Sequence, residues 1–233
     1  MNKTKLTSLF MILGLFAGCT STPEFQTGPD AEVTHDGLTR LDRTVLDVVW
    51  ARTDIDLTGY SKIMFEGVGV EFRPVDGPYS GRAGMGGTSR ANSSQSVFQL
   101  DEATKALVIE EIGGAFVEEL ANSDVYEVAE EPGPDVLLLR AGLLDVISRV
   151  PPERMGRSAV WLDSVGEATL VMELHDSTSG AILVRAVDRR AAETPAGSVT
   201  QSTSATNRAD VRRLGRRWAS IIRRGVESLM SGE

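Results

Sequence analysis

Two neighbouring segments of the chain alternate between apolar and polar residues, and this alternation constrains the fold more than any other feature. The apolar positions are Ala168, Leu170, Met172 and Leu174 in the first segment and Ile182, Val184 and Ala186 in the second. A period of two places alternate side chains on opposite faces of a β-strand. Residues 177–180 have the composition of a tight turn, with Gly180 available for a positive φ. Residues 166–176 and 180–193 are therefore predicted to form an antiparallel hairpin with one buried face.

Two other segments have the period of an amphipathic helix. The first begins at Asp101 and ends near Asn122, and its apolar stripe is Val108, Ile109, Ile112, Phe116 and Leu120. The second covers residues 208–230, with the stripe Val211, Leu214, Trp218, Ile221, Ile222 and Leu229.

Further strands are predicted over residues 61–72, 125–128 and 135–147, and residues 45–50 fit an edge strand or the end of a helical turn. Runs of strands combined with two helices favour a single compact α+β domain. We expect a mostly antiparallel sheet with both helices packed on one face.

Composition excludes several classes of protein. The chain has 233 residues, of which 41% are hydrophobic, and its 33 acidic and 24 basic residues give a net charge of −9. This length suits one globular domain, and the hydrophobic content is sufficient for a core. A nucleic-acid-binding function is not expected, because affinity for phosphate backbones comes mainly from Lys and Arg. The single Cys cannot form an internal disulfide.

The N-terminus has the pattern of a secretion signal. Lys3 and Lys5 precede an unbroken apolar run over residues 9–17, which is too short to cross a bilayer as a helix. The run ends in Phe16, Ala17, Gly18 and Cys19, which resemble the lipobox of bacterial lipoproteins, although its first position is usually Leu. The resemblance implies a signal peptide over residues 1–18, recognition of residues 16–18 by a signal peptidase, and diacylglycerol on Cys19.

This anchor predicts where the domain resides. Thr20 follows the Cys where an Asp would favour the inner membrane, so we expect the periplasmic leaflet of the outer membrane, assuming a Gram-negative bacterium. Residues 19–39 are predicted to be a flexible tether and residues 40–233 the periplasmic domain. Within that domain the Gly/Ser-rich segment 77–96 is predicted to be a mobile loop.

Several motifs resemble a family of bacterial lipoproteins known as domain of unknown function 3313. They are Tyr60–Lys62, Pro132–Ala141, Leu144–Val146, Glu173–Gly180, Val187–Ala191 and Arg217–Ala219. Segment 77–96 departs from the family pattern as an insertion. The resemblance implies a secreted, membrane-anchored α+β protein and implies no reaction.

Candidate catalytic residues are few. His35 lies in the predicted tether, and His175 lies near Ser177 and Ser179, but no Gly-x-Ser-x-Gly motif surrounds a serine. A metal site is not expected, because zinc requires several His or Cys ligands. Residues 81–89 resemble a phosphate-binding loop only superficially, because Gly87 occupies the position of the required Lys. We expect no enzymatic activity and no cofactor.

Charged residues of the hairpin are interpreted structurally. Glu173 and Arg185 can lie opposite each other across the two strands as an ion pair. The run Asp188, Arg189 and Arg190 could bind an anion, but alternation places Arg189 on the opposite face from the other two residues. We therefore favour a solvated face for this run.

Within residues 212–224 the last helix carries six arginines, Arg212, Arg213, Arg216, Arg217, Arg223 and Arg224. The favoured interpretation is that they pair with the acidic helix 101–121 or are solvated. The alternative is a docking face for an anionic partner, formed by Arg216, Arg217, Arg223 and Arg224. On that alternative, replacing these four residues by Gln would release the partner without unfolding the domain.

Together these features favour a non-enzymatic, lipid-anchored envelope protein. Its periplasmic domain would bind another envelope component, most simply a protein, as an accessory or assembly factor, and an exposed sheet edge offers a route to strand addition. The alternative is a module that binds a small ligand or glycan in an apolar pocket. A third hypothesis, a hydrolase with an unrecognised site, requires three ionisable residues that converge in a cleft.

Overall fold

A computed structural model describes residues 22–76, 79–80, 96–152 and 159–232, with side chains left undescribed at 79, 80 and 196. The strands are β1 (Glu24–Phe25), β2 (Thr39–Asp42), β3 (Val48–Ala51), β4 (Lys62–Phe72), β5 (Tyr79–Ser80), β6 (Val97–Phe98), β7 (Glu127–Val128), β8 (Val136–Ser148), β9 (Trp161–Leu162), β10 (Ser164–Asp176), β11 (Ile182–Glu193) and β12 (Thr200–Gln201). The helices are α1 (Glu102–Leu120) and α2 (Ser204–Ser231). The predicted signal peptide, Cys19 and most of the predicted loop 77–96 lie outside the described residues.

The strands form a ten-stranded mixed sheet and a separate two-stranded sheet of β9 and β12. The main order is β1-β2-β3-β11-β10-β8-β4-β7, and the β5–β6 pair extends from β8. Pairing is antiparallel except that β4 runs parallel to both β8 and β7. The prediction of one α+β domain with a mostly antiparallel sheet is confirmed. A parallel pair requires a crossover connection, and α1 lies in the chain between β4 and β8.

The structure confirms the predicted hairpin, both in the pairing of its residues and in which face is buried. Glu173 lies opposite Arg185, and Leu174 lies opposite Val184. All four predicted apolar positions of β10 are buried, with the polar positions between them only partly covered. Gly180 adopts a φ of 71° in the turn, as its position predicted. The alternation with a period of two therefore correctly predicted which face of this hairpin is buried.

Both helices begin at side-chain caps. Asp101 accepts a hydrogen bond from the backbone N–H of Thr104 at 2.7 Å, which satisfies one of the free donors of the first turn of α1. Thr203 and Thr206 form a reciprocal capping box at the start of α2. The capping box lies before residue 208, where the sequence analysis placed the start of the helix, so the observed helix begins about one turn earlier than predicted.

The two helices pack side by side on one face of the sheet, as predicted. α1 covers β4, where Phe65 and Phe116 stack with ring centroids 5.5 Å apart, and α2 covers β10 and β11. The helices approach most closely at Gly215, where an added Cβ would lie 3.0 Å from the Cβ of Ala115. The largest fully buried side chains are Trp218, Phe116, Leu38, Leu57, Ile63, Ile112, Leu120, Leu137, Leu139, Leu143, Leu162 and Leu170.

The described part of the predicted tether is ordered, which corrects the expected start of the domain at residue 40. Strand β1 pairs with β2, and Leu38 is completely buried. Asp36 also forms an ion pair with Arg185 of β11 at 2.7 Å. Backbone pairing and one buried side chain stabilise a segment whose composition alone indicated flexibility. Within the described ranges, no helix is long and apolar enough to cross a membrane.

Candidate functional site

The arginine-rich face of α2 is largely paired with α1. Arg216 contacts Glu118 at 3.1 Å, and Arg223 contacts Glu119 at 3.2 Å and Glu227 at 2.8 Å. Two of the four residues of the predicted anionic-partner face therefore form ion pairs within the chain. The expectation that the acidic and basic helices pack together is confirmed.

Glu111 is the centre of this contact. The residue is 7% exposed, and its carboxylate accepts hydrogen bonds from Arg208 at 2.8 Å and Arg212 at 3.1 Å. The hydrogen bond from Arg208, followed by that from Arg212, holds the pKa of the Glu111 carboxyl below its ordinary value against the opposing effect of burial. Glu111 therefore links the two helices as a buried anion between two guanidinium groups.

The remaining two residues of the predicted face point outward. Arg224 is exposed and donates a hydrogen bond to Ser220 Oγ at 2.8 Å. Arg217 is exposed and has no hydrogen-bond or ion-pair partner in the part of the chain that the structure describes. The structure thus divides the four arginines into one pair that holds the helices together and one pair open to solvent.

The prediction that the run 188–190 lies on a solvated face was wrong for Asp188. Its side chain is completely buried and forms an ion pair with Arg190, a hydrogen bond with Trp218 Nε1 at 2.7 Å and one with the backbone N–H of Asp47 at 3.1 Å. The alternation of residues in β11 could have indicated this burial, because Asp188 lies on the same face of the strand as the buried residues Val184 and Ala186. Its partners on other elements, Trp218 and the Asp47 backbone, are remote in sequence, so only the folded chain brings this cluster together.

His175 is also buried, but it does not form a catalytic pair with a serine. Its Nδ1 lies 3.1 Å from the carbonyl oxygen of Gly180 and its Nε2 lies 3.0 Å from Glu173 Oε2. Ser177 Oγ instead donates to the carbonyl of Gly133, and Ser179 Oγ donates to Asp176. Ser179 therefore closes the hairpin turn, and Ser177 links that turn to the loop at Gly133. The other candidate, His35, is exposed, and residues 81–89 lie outside the described residues.

The sheet face opposite the helices carries two ion-pair networks. In the first, Arg185 joins Glu173 at 2.8 Å to Asp36 at 2.7 Å. The predicted cross-strand pair of Glu173 and Arg185 is thus confirmed. Hydrogen bonds from Thr34 and then from Arg185 lower the pKa of Asp36 to about 2.

Sequence reasoning missed the second network, which is centred on Asp145. Arg73 contacts this carboxylate at 2.5 Å and Arg189 contacts it at 2.8 Å. The hydrogen bond from Arg73 is the largest cause of a pKa of about 2 at Asp145. Asp145 has a φ of 55°, a left-handed conformation that Asp adopts more readily than most residues. The sequence signal for this network was an Asp within a predicted strand. Asp145 lies where the pairing of β8 with β10 shifts in register.

Four exposed apolar side chains lie on α1 and around β7, the strand at the end of the sheet. Ile109 and Val117 of α1 are 41% and 57% exposed. Val125, just before β7, is 43% exposed, and Val128, in β7, is 52% exposed. Sequence analysis assigned Ile109 to the buried stripe of the first helix, which was wrong.

Two cavities indent the described surface. One has a volume of about 300 Å³ and is lined mostly by polar residues, namely Arg149, Asp163, Ser164, Ala191, Glu193 and Gly197. The other has a volume of about 260 Å³ and lies where the end of β4 meets the start of α1, beside Phe72 and Lys105. These volumes are at or below the small end of the range for ligand pockets.

Comparison with solved structures gives only remote likenesses. Protein XCC0632 of Xanthomonas campestris, from the DUF330 family, is 13% identical with a TM-score of 0.39, over 78% of this chain and 90% of that one. The protein CT253 of Chlamydia trachomatis is 10% identical with a TM-score of 0.38, over 75% and 99% of the two chains. A PelC dodecamer of Paraburkholderia phytofirmans is 9% identical with a TM-score of 0.32, over 72% and 96%.

Sequence comparison assigns the family. No curated protein matches the chain. A family model described as "Protein of unknown function (DUF3313)" matches residues 34–220, which includes both helices up to residue 220 and the main strands from β2 onward. The chain therefore belongs to the DUF3313 family.

Proposed function

We propose that this chain is a lipid-anchored envelope protein whose domain binds a second envelope protein, without catalysing a reaction. The observation that carries the proposal is the group of exposed apolar side chains at Ile109, Val117, Val125 and Val128. Leaving them in water is unfavourable, at about 25 cal/mol per Å² of apolar surface, and a protein partner that covered them would recover that free energy.

The N-terminal sequence supports the anchor in this proposal. Diacylglycerol on Cys19 would hold the domain on the periplasmic leaflet of the outer membrane, because each buried CH₂ contributes about 0.8 kcal/mol. A Cys19→Ser variant is expected to lose lipidation and to be released from the membrane fraction. A variant that stays in that fraction through another route would contradict the anchor assignment.

Site-specific crosslinking in the native envelope tests the binding function. A photo-crosslinking residue at position 117 or 128 is expected to capture one reproducible protein, identified by mass spectrometry. The same residue at position 224, on the exposed side of α2, is the matched control and is expected to capture much less. Capture of no protein, or of glycan or lipid alone, would overturn the proposal, and the cavity beside Arg149 and Glu193 would then become the candidate site for a small ligand.

A further inference from the structure

Strand β4 is incompletely paired along its outer edge. β7 covers only its first residues, where the backbone N–H groups of Glu127 and Ala129 donate to the carbonyls of Ser61 and Ile63. From residue 64 to residue 72, no strand among the described residues pairs with β4 on this side. Nine residues at about 3.3 Å each leave about 30 Å of edge whose backbone groups can pair with an added strand.

The flank of α1 that faces away from α2 is the one nearest to this edge. Ala115 and Glu118 face α2, where they meet Gly215 and Arg216. Positions 109, 113 and 117 repeat every four residues on the opposite flank of the helix. Because α1 lies over β4 and α2 lies over β10 and β11, that flank faces the outer edge of β4. Ile109 and Val117 are therefore the exposed apolar side chains of α1 on the side where an added strand would lie.

Edge strands in soluble proteins are commonly protected by Lys, Pro or a bulge. Residues 64–72 contain neither Lys nor Pro. Two register shifts interrupt the pairing of β4 with β8, one between Phe65 and Val68, around Gly67 with its φ of 106°, and one between Val70 and Phe72. The strand nevertheless carries Val68, Val70 and Phe72, residue types that favour strands, along the open part of its edge.

The charges around the edge are acidic. Glu71, Glu110 and Glu127 are exposed and have no ion-pair partner in the described part of the chain. The two nearby lysines are already paired, Lys62 with Asp135 at 3.0 Å and Lys105 with Glu102 at 2.7 Å. A strand added here would meet an apolar helix flank on one face and uncompensated carboxylates around it.

From these observations we infer that the outer edge of β4 binds an extended segment of a partner protein in which apolar residues alternate with Lys or Arg. The backbone of the segment pairs with β4, its apolar side chains contact Ile109 and Val117, and its basic side chains meet Glu71 and Glu127 on the opposite face of the sheet. This inference rests on the proposed function and specifies the surface and the chemistry of the partner segment.

Peptide binding to the purified full-length lipoprotein in detergent tests the inference. The probe is a labelled peptide of about ten residues with alternating Val and Lys, a length matched to the open edge. The controls are a peptide of the same composition with the Lys residues grouped together, and an alternating Val and Glu peptide. Fluorescence anisotropy is expected to show binding of the alternating basic peptide at least about tenfold tighter than either control.

Variants and hydrogen exchange locate the binding. Val117→Lys adds charge at an exposed position and is expected to weaken binding at least about tenfold, whereas Leu229→Lys, at a 39% exposed position on α2, is expected to have little effect. The peptide is also expected to protect the backbone N–H groups on the outer side of β4, such as those of Phe65 and Val70, from exchange. Equal binding of all three peptides, or β4 amides already protected without peptide, would overturn the inference.

The two proposals can fail separately. A protein captured in the envelope whose crosslinks lie away from Val117 and Val128, with β4 amides still exchanging, would overturn the edge as the binding surface and leave a protein-binding function in place. Capture of no protein in the envelope would overturn the proposed function, whatever the peptide result.

Discussion

The indole N–H of Trp218 donates a hydrogen bond of 2.7 Å to the carboxylate of Asp188, and both side chains are completely buried. The carboxylate also pairs with Arg190, whose side chain is 18% exposed. α2 is thereby fixed to β11 by a buried charged group. Breaking a buried charge pair on one side costs more than the pair contributes, because the remaining group stays desolvated.

Replacing Asp188 by Ala is therefore expected to destabilise the protein by about 3–5 kcal/mol, because the Trp218 N–H loses its acceptor and Arg190 loses its ion-pair partner. Trp218→Phe removes one donor to a charged group and is expected to cost about 1.5–3 kcal/mol. Urea unfolding followed by circular dichroism measures both changes in the free energy of unfolding.

Trp161→Phe is the matched control, because Trp161 is 57% exposed, and it is expected to change stability by less than about 0.5 kcal/mol. The double variant of Asp188 and Trp218 is expected to lose less than the sum of the single losses, since the two residues interact directly. Additive losses would contradict the assigned hydrogen bond.

Glu111→Gln tests the ion pairs between the helices against its neighbour Glu110. The buried Glu111 carboxylate holds Arg208 and Arg212, so its neutral amide is expected to lower the free energy of unfolding by about 1–3 kcal/mol. Glu110→Gln changes an exposed residue and is expected to stay within about 0.5 kcal/mol of the wild type. Thermal unfolding of the two variants compares them directly, and equal melting temperatures would show that the contact contributes no net stability.

Gly215→Val tests the close approach of the helices. A Cβ at this position would already lie 3.0 Å from Ala115 Cβ and 3.3 Å from Ile112 Cδ1, so the larger side chain is expected to push the helices apart and cost about 1–3 kcal/mol. At Gly225, in the same helix, an added Cβ meets nothing within 4 Å, and Gly225→Val is expected to be near neutral. Chemical denaturation of both variants decides between packing and helix propensity, because propensity alone would give the same change at both positions.

The Asp145 network predicts a specific loss of stability in acid. The pKa of Asp145 is lowered from 3.8 to about 2 in the folded chain, so the unfolded chain takes up this proton at a higher pH. Its contribution is complete above about pH 4 and is lost as the pH falls through about 2.

Asp145→Asn is therefore expected to weaken the decline in urea midpoint between pH 4 and pH 2, while Asn still tolerates the left-handed backbone. Asp30→Asn, at an exposed residue with no ion pair in the described part of the chain, is the control and is expected to keep the wild-type decline. An unchanged pH dependence in Asp145→Asn would contradict the role of Arg73 and Arg189.

The sequence by itself determined the elements whose signals are local. Alternation predicted the β10–β11 hairpin and placed Glu173 opposite Arg185, and the helical segment beginning at Asp101 predicted the start of α1. These predictions succeeded because side-chain period, turn residues and caps depend on neighbours within a few positions. Composition also predicted opposite charges on the two helices, and therefore their pairing.

Only the tertiary structure decided which distant segments meet. The ordered strand β1, the parallel pairing of β4 with β8 and the ion pair between Asp36 and Arg185 each join residues far apart in the chain. Asp188 occupied the buried face by alternation, but its burial requires the Trp218 N–H, which lies 30 residues away. The open edge of β4 likewise follows from the order of strands in the sheet. Strand order and buried polar contacts depend on the whole chain at once, and no local pattern records them.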